Sequence, residues 1–152
     1  MGSLIEKDLR MEQLVPLIQE RLEAGQSVRF SPRGISMLPM LRQGTDSVVL
    51  SALPERLQRY DLPLYQRENG QYVLHRVIGV GDTYTCMGDN QFAPEPGLDH
   101  RQMIGLVTGF YRAEKYHSVR EPGYWLYCRL WYHSRRLRRL WRRGINWLKR
   151  HL

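Results

Sequence analysis

The chain has 152 residues, enough for one domain with a hydrophobic core and too few for a multidomain machine. Its composition, 42% hydrophobic, 11% aromatic and 25% charged, excludes a disordered, collagenous or disulfide-dense chain. The net charge of +8 is unevenly placed: residues 122–152 hold eight Arg and one Lys with no Asp or Glu, whereas the first 121 residues sum to −1, so a near-neutral body carries a basic tail.

In chain order, Leu14, Leu17, Ile18 and Leu22 recur at helical spacing before Gly25, which predicts an amphipathic helix within an N-terminal unit, residues 1–25. Glu6, Asp8, Glu12, Glu20 and Glu23 interrupt any apolar stretch there, so neither a signal peptide nor an N-terminal membrane span is expected, and the expected location is cytoplasmic. After Gly25 the pattern changes to short runs rich in Val, Tyr, Thr and Leu at 27–30, 47–50, 62–66, 72–80, 83–87 and 103–111, with turn signals at Asn69-Gly70 and Gly81-Asp82. These predict a mainly β unit over residues 26–121, a bent antiparallel sheet of about six strands.

From residue 122 the period is helical again. Leu137, Leu140, Trp141, Ile145, Leu148 and Leu152 share one side, and six arginines between 135 and 143 fill the others. With Trp147 added, residues 122–152 read as a basic aromatic helix lying on an anionic membrane surface, with Arg135, Arg138, Arg139, Trp141, Arg142 and Trp147 as the expected contacts and Gly144 as a candidate kink. Nucleic acid is the less favoured partner, because a continuous apolar face suits a bilayer or a protein groove better than phosphates. A blander alternative packs residues 124–132 on the sheet and frees only the last turns.

Cys86 and Cys128 form neither a CxxC pair nor a zinc-type spacing and are read as reduced. The histidines at 75, 100, 117, 133 and 151 include no i,i+4 pair, so no metal or other cofactor is expected.

The stretch with chemistry in it is Gly34-Ile35-Ser36-Met37-Leu38-Pro39. Gly permits a close backbone approach and Pro39 restrains Leu38, so the turn can expose the Ser36 hydroxyl together with backbone N–H groups, as an acyl-transfer nucleophile and an oxyanion hole require. A serine hydroxyl needs a positioned base. The only lysines, at 7, 115 and 149, lie outside the central strands, whereas His75 stands within one, 39 residues after Ser36.

Taken together with Tyr60-Asp61-Leu62-Pro63, His75-Arg76-Val77-Ile78, Gly88-Asp89-Asn90 and Ile104-Gly105-Leu106-Val107, this loop resembles the ordered boxes of the S24/S26 serine peptidases, the signal peptidase I and LexA-like superfamily, over residues 26–112. The histidine at the base position resembles the endoplasmic-reticulum-type Ser-His branch. The resemblance implies a serine endopeptidase acting on a peptide or precursor protein, with Ser36 as nucleophile, His75 as base, and Glu95 or Asp89 orienting it, Asp99 being more distant. Gly34, Ile35, Met37 and Pro39 would shape the nucleophile loop. Gly34 stands where many signal peptidases have a hydroxyl residue, so backbone N–H groups would receive the oxyanion. The membrane anchor usual in signal peptidases is not found, which makes the basic tail the expected means of reaching a membrane surface. The competing reading is a non-catalytic membrane- or partner-binding module on the same fold.

Overall fold

The computed structural model describes residues 10–152; residues 1–9 of the expected N-terminal unit lie outside the described residues. Helix α1 (Met11–Glu23) buries Leu14, Val15, Ile18 and Leu22. It stops where Gly25, at φ +75°, turns the chain so that its N–H reaches Leu22 O at 3.0 Å and Gln26 N–H reaches Arg21 O at 2.9 Å. That is a Schellman stop, which a left-handed glycine permits at no steric cost.

Nine strands follow: β1 (Val28–Phe30), β2 (Asp46–Ser51), β3 (Pro63–Gln66), β4 (Tyr72–Leu74), β5 (Arg76–Val80), β6 (Tyr84–Met87), β7 (Glu95–Leu98), β8 (Met103–Arg112) and β9 (Lys115–Ser118). Two helices close the chain, α2 (Pro122–His133) and α3 (Arg135–His151). All strand pairings are antiparallel; one sheet runs β1-β2-β8-β3-β4 with β9 also on β8, and the other runs β5-β6-β7.

The protein is therefore mainly antiparallel β, as expected, but the expected strand over 72–80 is divided. β4 pairs with β3 in the large sheet, β5 pairs with β6 in the small one, and His75 stands at the corner between them. The core falls into two clusters, the first under α1 and the large sheet, the second where β3, β4 and β8 of the large sheet meet the small one. Leu14, Ile18 and Leu22 of α1 pack with Val28, Phe30, Val48, Leu50 and Phe110 in the first; Tyr65, Val73, Val77, Tyr84 and Met103 belong to the second.

The basic segment does not behave as one unit. Within α2, Cys128 is buried, Tyr124 bonds Arg76, and Tyr127 and Trp131 bond Asp89, so residues 124–132 pack on the body as the blander alternative had it. The i→i−4 bonds run on through Ser134, whose N–H reaches Leu130 O at 2.9 Å and whose carbonyl accepts from Arg138 N–H at 3.0 Å. α3 continues through Gly144, and Ser134, at φ −80° and ψ −2°, marks the boundary between α2 and α3 without breaking the bonding. No helix among the described residues is long and apolar enough to cross a membrane.

Candidate active site around Ser36 and His75

The loop before β2 is held by its apolar residues. Met37, Met40 and Leu41 are buried in the first core, each contributing roughly 1.5–3 kcal/mol of burial. Ile35, one residue before Ser36, is 63% exposed, so the loop is anchored behind Ser36 and open in front of it. Gly34, at φ +95°, makes the sharp approach, and the Leu38–Pro39 peptide bond is cis.

The Gly88-Asp89-Asn90 turn grips this loop from the other side. Asn90 N–H donates to Ser36 O at 2.8 Å, and Asn90 Nδ2 donates to Ile35 O at 3.1 Å. A Cβ on Gly88 would lie 2.7 Å from Ser36 O, which is why that position carries no side chain. Asp89, one of the two expected acids, faces elsewhere: its carboxylate takes a two-pronged ion pair from Arg76 Nε and Nη2 at 2.8 and 2.9 Å and accepts the Tyr127 hydroxyl at 2.8 Å. It anchors the turn. Asp99 is further removed still, accepting Arg101 N–H at the start of a short 3₁₀ turn.

Arg76 is the hub of this anchoring. Besides Asp89 it donates to Tyr60 O, the Tyr124 hydroxyl and Cys128 Sγ, and its Nη2 lies 3.1 Å from Met40 Sδ in the Ser36 loop. Although it is buried, Arg76 stays charged, with burial opposed by the Asp89 carboxylate beside it.

Ser36 and His75 line one cleft of about 230 Å³, together with Gly34, Met37, Arg67 and Gln91. Among the described residues no hydrogen bond involves the Ser36 hydroxyl, so the two side chains share the cleft without a direct bond. Apo geometry of this kind is common before substrate tightens a catalytic pair. The Ser36 and Met37 N–H groups likewise donate to nothing among the described residues, whereas Gly34 N–H is taken by Gln43 Oε1 at 3.0 Å. An oxyanion donor is thus available from Ser36 and Met37 and not from Gly34.

Glu95 reaches His75 only through a third residue. The Tyr65 hydroxyl donates its one proton to Glu95 Oε2 at 3.0 Å and stands 3.4 Å from His75 Nδ1. With that proton committed, the hydroxyl oxygen accepts from His75 Nδ1–H, a long bond that leaves Nε2 with a lone pair. Glu95 is itself fixed by Arg67 Nε and Nη2 at 2.9 and 2.8 Å, which holds its carboxyl below the usual range. Burial pushes His75 down from 6.5 to about 4, with Arg67 adding to the effect and Glu95 and Asp89 opposing it. The imidazole is accordingly neutral through the whole neutral range. Because the unfolded histidine has the higher pKa, the stability linked to this burial is complete above about 6.5 and is lost as pH falls toward 4.

Tyr65, Arg67 and Arg76 were not among the expected site residues. Arg76 carried a signal, being a cation inside the apolar run Val73 to Ile78, where a charge needs a buried partner. Tyr65 carried one only after register is known: it pairs with Val73 on β4, two residues before His75. Cys86 and Cys128 are free and buried, and burial pushes the Cys86 thiol up to about 12, so neither competes as a nucleophile.

Of the expected membrane contacts, Arg139, Trp141 and Trp147 are exposed on α3. Arg135 stacks over Tyr132, Arg138 over Trp131, and Arg142 Nη2 donates to Asn90 Oδ1 at 2.7 Å, so these cations also touch the body. Neither the protein-family models nor the curated proteins compared with this chain give a match.

Proposed function

We propose that the protein is a serine endopeptidase of the signal peptidase and LexA-like type, working at an anionic membrane surface. The observation that carries the reading is the shared cleft of Ser36 and His75, with His75 neutral and its Nδ1 held by the Tyr65–Glu95 relay. Ser36 Oγ attacks the scissile carbonyl carbon of a bound peptide while His75 Nε2 takes the hydroxyl proton. The Ser36 and Met37 N–H groups receive the oxyanion. The tetrahedral intermediate collapses as the C–N bond breaks and the imidazolium returns the proton to the leaving amine, and water releases the acyl group from Ser36 by the reverse sequence.

The substrate class that fits is a peptide or precursor protein presented in extended form near the membrane. A serine-directed fluorophosphonate tests the reactive hydroxyl: labelling at Ser36 supports the reading, and an unreactive Ser36 with no cleavage of any peptide in a library leaves the fold as a binding module. Loss of Tyr65's hydroxyl gives a second test. Tyr65→Phe removes the acceptor of Nδ1–H and is expected to lower kcat on the order of 10-fold with KM little changed, a fraction of the 10²–10⁴ that a general base contributes. Unchanged kcat would remove the relay from the mechanism.

The pH profile follows from burial. An exposed histidine gives an acid limb near 6.5, but with His75 at about 4 the free-enzyme profile is expected to be flat from about pH 8 down to about 5.5. A kcat/KM midpoint between about 6 and 7, in protein whose circular dichroism is unchanged, contradicts a buried neutral base.

The surface part of the proposal rests on α3 and the outward side of α2. Leu126, Leu130, Leu137, Leu140, Trp141, Trp147 and Leu148 are all exposed, along one nearly continuous helix. None of the nine cations of 122–152 is ion-paired to a carboxylate among the described residues. Apolar side chains in the acyl boundary and cations at the phosphates satisfy both sets at once.

A further inference from the structure

α3 meets the body along a seam and not along its apolar face. Ile145 is half-buried, whereas Leu137 and Leu148 stay exposed. At 100° per residue, Leu137, Leu140 and Leu148 centre the apolar face, Arg139, Arg143 and Arg150 centre the cationic face, and Ile145 lies on the boundary between them. Along this boundary runs a groove of about 480 Å³ between α3 and the Leu38-Pro39 corner of the Ser36 loop.

Its walls are two-sided in chemistry. Leu38, Pro39, Phe92, Trp141 and Ile145 supply apolar surface, and Arg138, Arg142 and Lys149 supply charge. Arg142 and Arg138 lie over the Phe92 ring at 4.9 and 5.7 Å, which holds two guanidinium groups at the apolar wall. Arg138 and Arg142 bond neutral carbonyl, hydroxyl and amide oxygens, and among the described residues no carboxylate is paired directly with either. A groove with an apolar floor and unneutralised cations is complementary to an anionic amphiphile. A second copy of the chain, bringing another nine cations and no acid in this segment, would be repelled, and nucleic acid would leave the apolar wall unused.

We propose that this groove binds one anionic phospholipid, its acyl segment along Leu38, Phe92 and Ile145 and its phosphate at Arg138, Arg142 and Lys149. This deepens the surface reading of α3 by naming a site for a single lipid, and it does not depend on Ser36 chemistry. The groove opens between the apolar and cationic faces, the depth at which phosphates lie when such a helix rests on a bilayer. Since Arg142 also holds Asn90, whose N–H and amide grip the carbonyls of Ser36 and Ile35, the bound headgroup sits one residue from the catalytic loop.

The test uses the full chain and dihexanoyl-phosphatidylglycerol kept below its micelle-forming concentration, with binding followed by NMR titration. Saturable binding is expected, with the zwitterionic phosphatidylcholine analogue at least roughly tenfold weaker and inorganic phosphate not saturable. Ile145→Asp is expected to weaken the binding at least roughly tenfold, and Leu148→Asp, on the exposed face, less than about twofold. Both positions lie on the surface helix, and far-ultraviolet circular dichroism confirms that each variant is folded. No saturable binding, equal affinity for inorganic phosphate, or the opposite order of the two variants overturns the site. Binding of an acidic leucine-rich peptide in place of the lipid overturns it too and assigns the groove to protein. Anionic vesicles bound without any monomer binding overturn the groove alone and leave the surface contact standing, whatever the outcome of peptide cleavage.

Discussion

Asp89→Ala is expected to destabilise the protein by about 3–5 kcal/mol, measured by denaturant unfolding, because it strands a buried guanidinium. Arg76 and Asp89 have side chains only 3% exposed each, so the guanidinium is shielded from the bulk solvent that could otherwise compensate for the lost carboxylate. The Tyr127 hydroxyl would lose its acceptor in the same step, and the turn that carries Gly88 and Asn90 would lose its side-chain tie to β5, keeping α2 only through the Trp131 indole N–H donated to the residue-89 carbonyl. The consequence reaches the Ser36 loop through Asn90 as well as through the Met40 contact of Arg76. Asp89→Asn separates this role from that of a catalytic acid. An orienting acid would lose kcat at nearly constant stability, whereas the ion pair predicts a stability loss approaching that of the alanine variant. Replacing both partners with apolar residues, Arg76→Met with Asp89→Leu, should recover much of the loss, since a buried pair offsets little more than its own desolvation. A cost below about 1 kcal/mol for Asp89→Ala would contradict the hub.

How much of this was legible in the sequence depends on the range of the interaction. Period and turn chemistry are local, so α1, the run 103–111 of β8 and the hairpin at Gly81-Asp82 can be read from a few neighbouring residues. The break at His75 is not local. Val73 to Ile78 has one uninterrupted β pattern, and it divides because β3 claims the first part and β6 the second. β7, with Pro96 and Gly97 inside it, has little strand propensity and exists because Cys86 and Tyr84 on β6 offer it partners. The same limit applies to the site. Ser36 and His75 stand out by residue type, and both line the cleft, but the resemblance offers Glu95 and Asp89 alike as the orienting acid. Register instead placed Tyr65 between Glu95 and His75 and turned Asp89 toward Arg76. Aromatic and basic content made 122–152 look uniform, although Tyr124, Tyr127 and Trp131 direct their polar atoms to Arg76 and Asp89, so one side of α2 is docked while its other side and α3 stay at the surface.

Ser36→Ala is expected to abolish peptide cleavage, a loss of at least on the order of 10³-fold, because Ser36 carries the one aliphatic hydroxyl that lines the cleft among the described residues. The substitution gives a clean readout. The hydroxyl makes no bond among the described residues and the loop is held by Met37, Met40 and Asn90, so stability should be unchanged and any loss of turnover is chemical. His75→Gln, which keeps most of the side-chain volume at the sheet corner, is expected to lower kcat/KM on the order of 100-fold or more by removing the base. The double variant should be no slower than Ser36→Ala alone, because a base without its nucleophile has nothing to activate; groups acting in one step do not contribute additively. Fluorophosphonate labelling follows the same order, with stoichiometric modification of the wild type at Ser36, slow modification of His75→Gln and none of Ser36→Ala. Normal turnover by Ser36→Ala dismisses Ser36 as the nucleophile. Additive losses in the double variant would separate His75 from the hydroxyl and leave the shared cleft as a binding pocket in which the two residues act on different parts of a ligand.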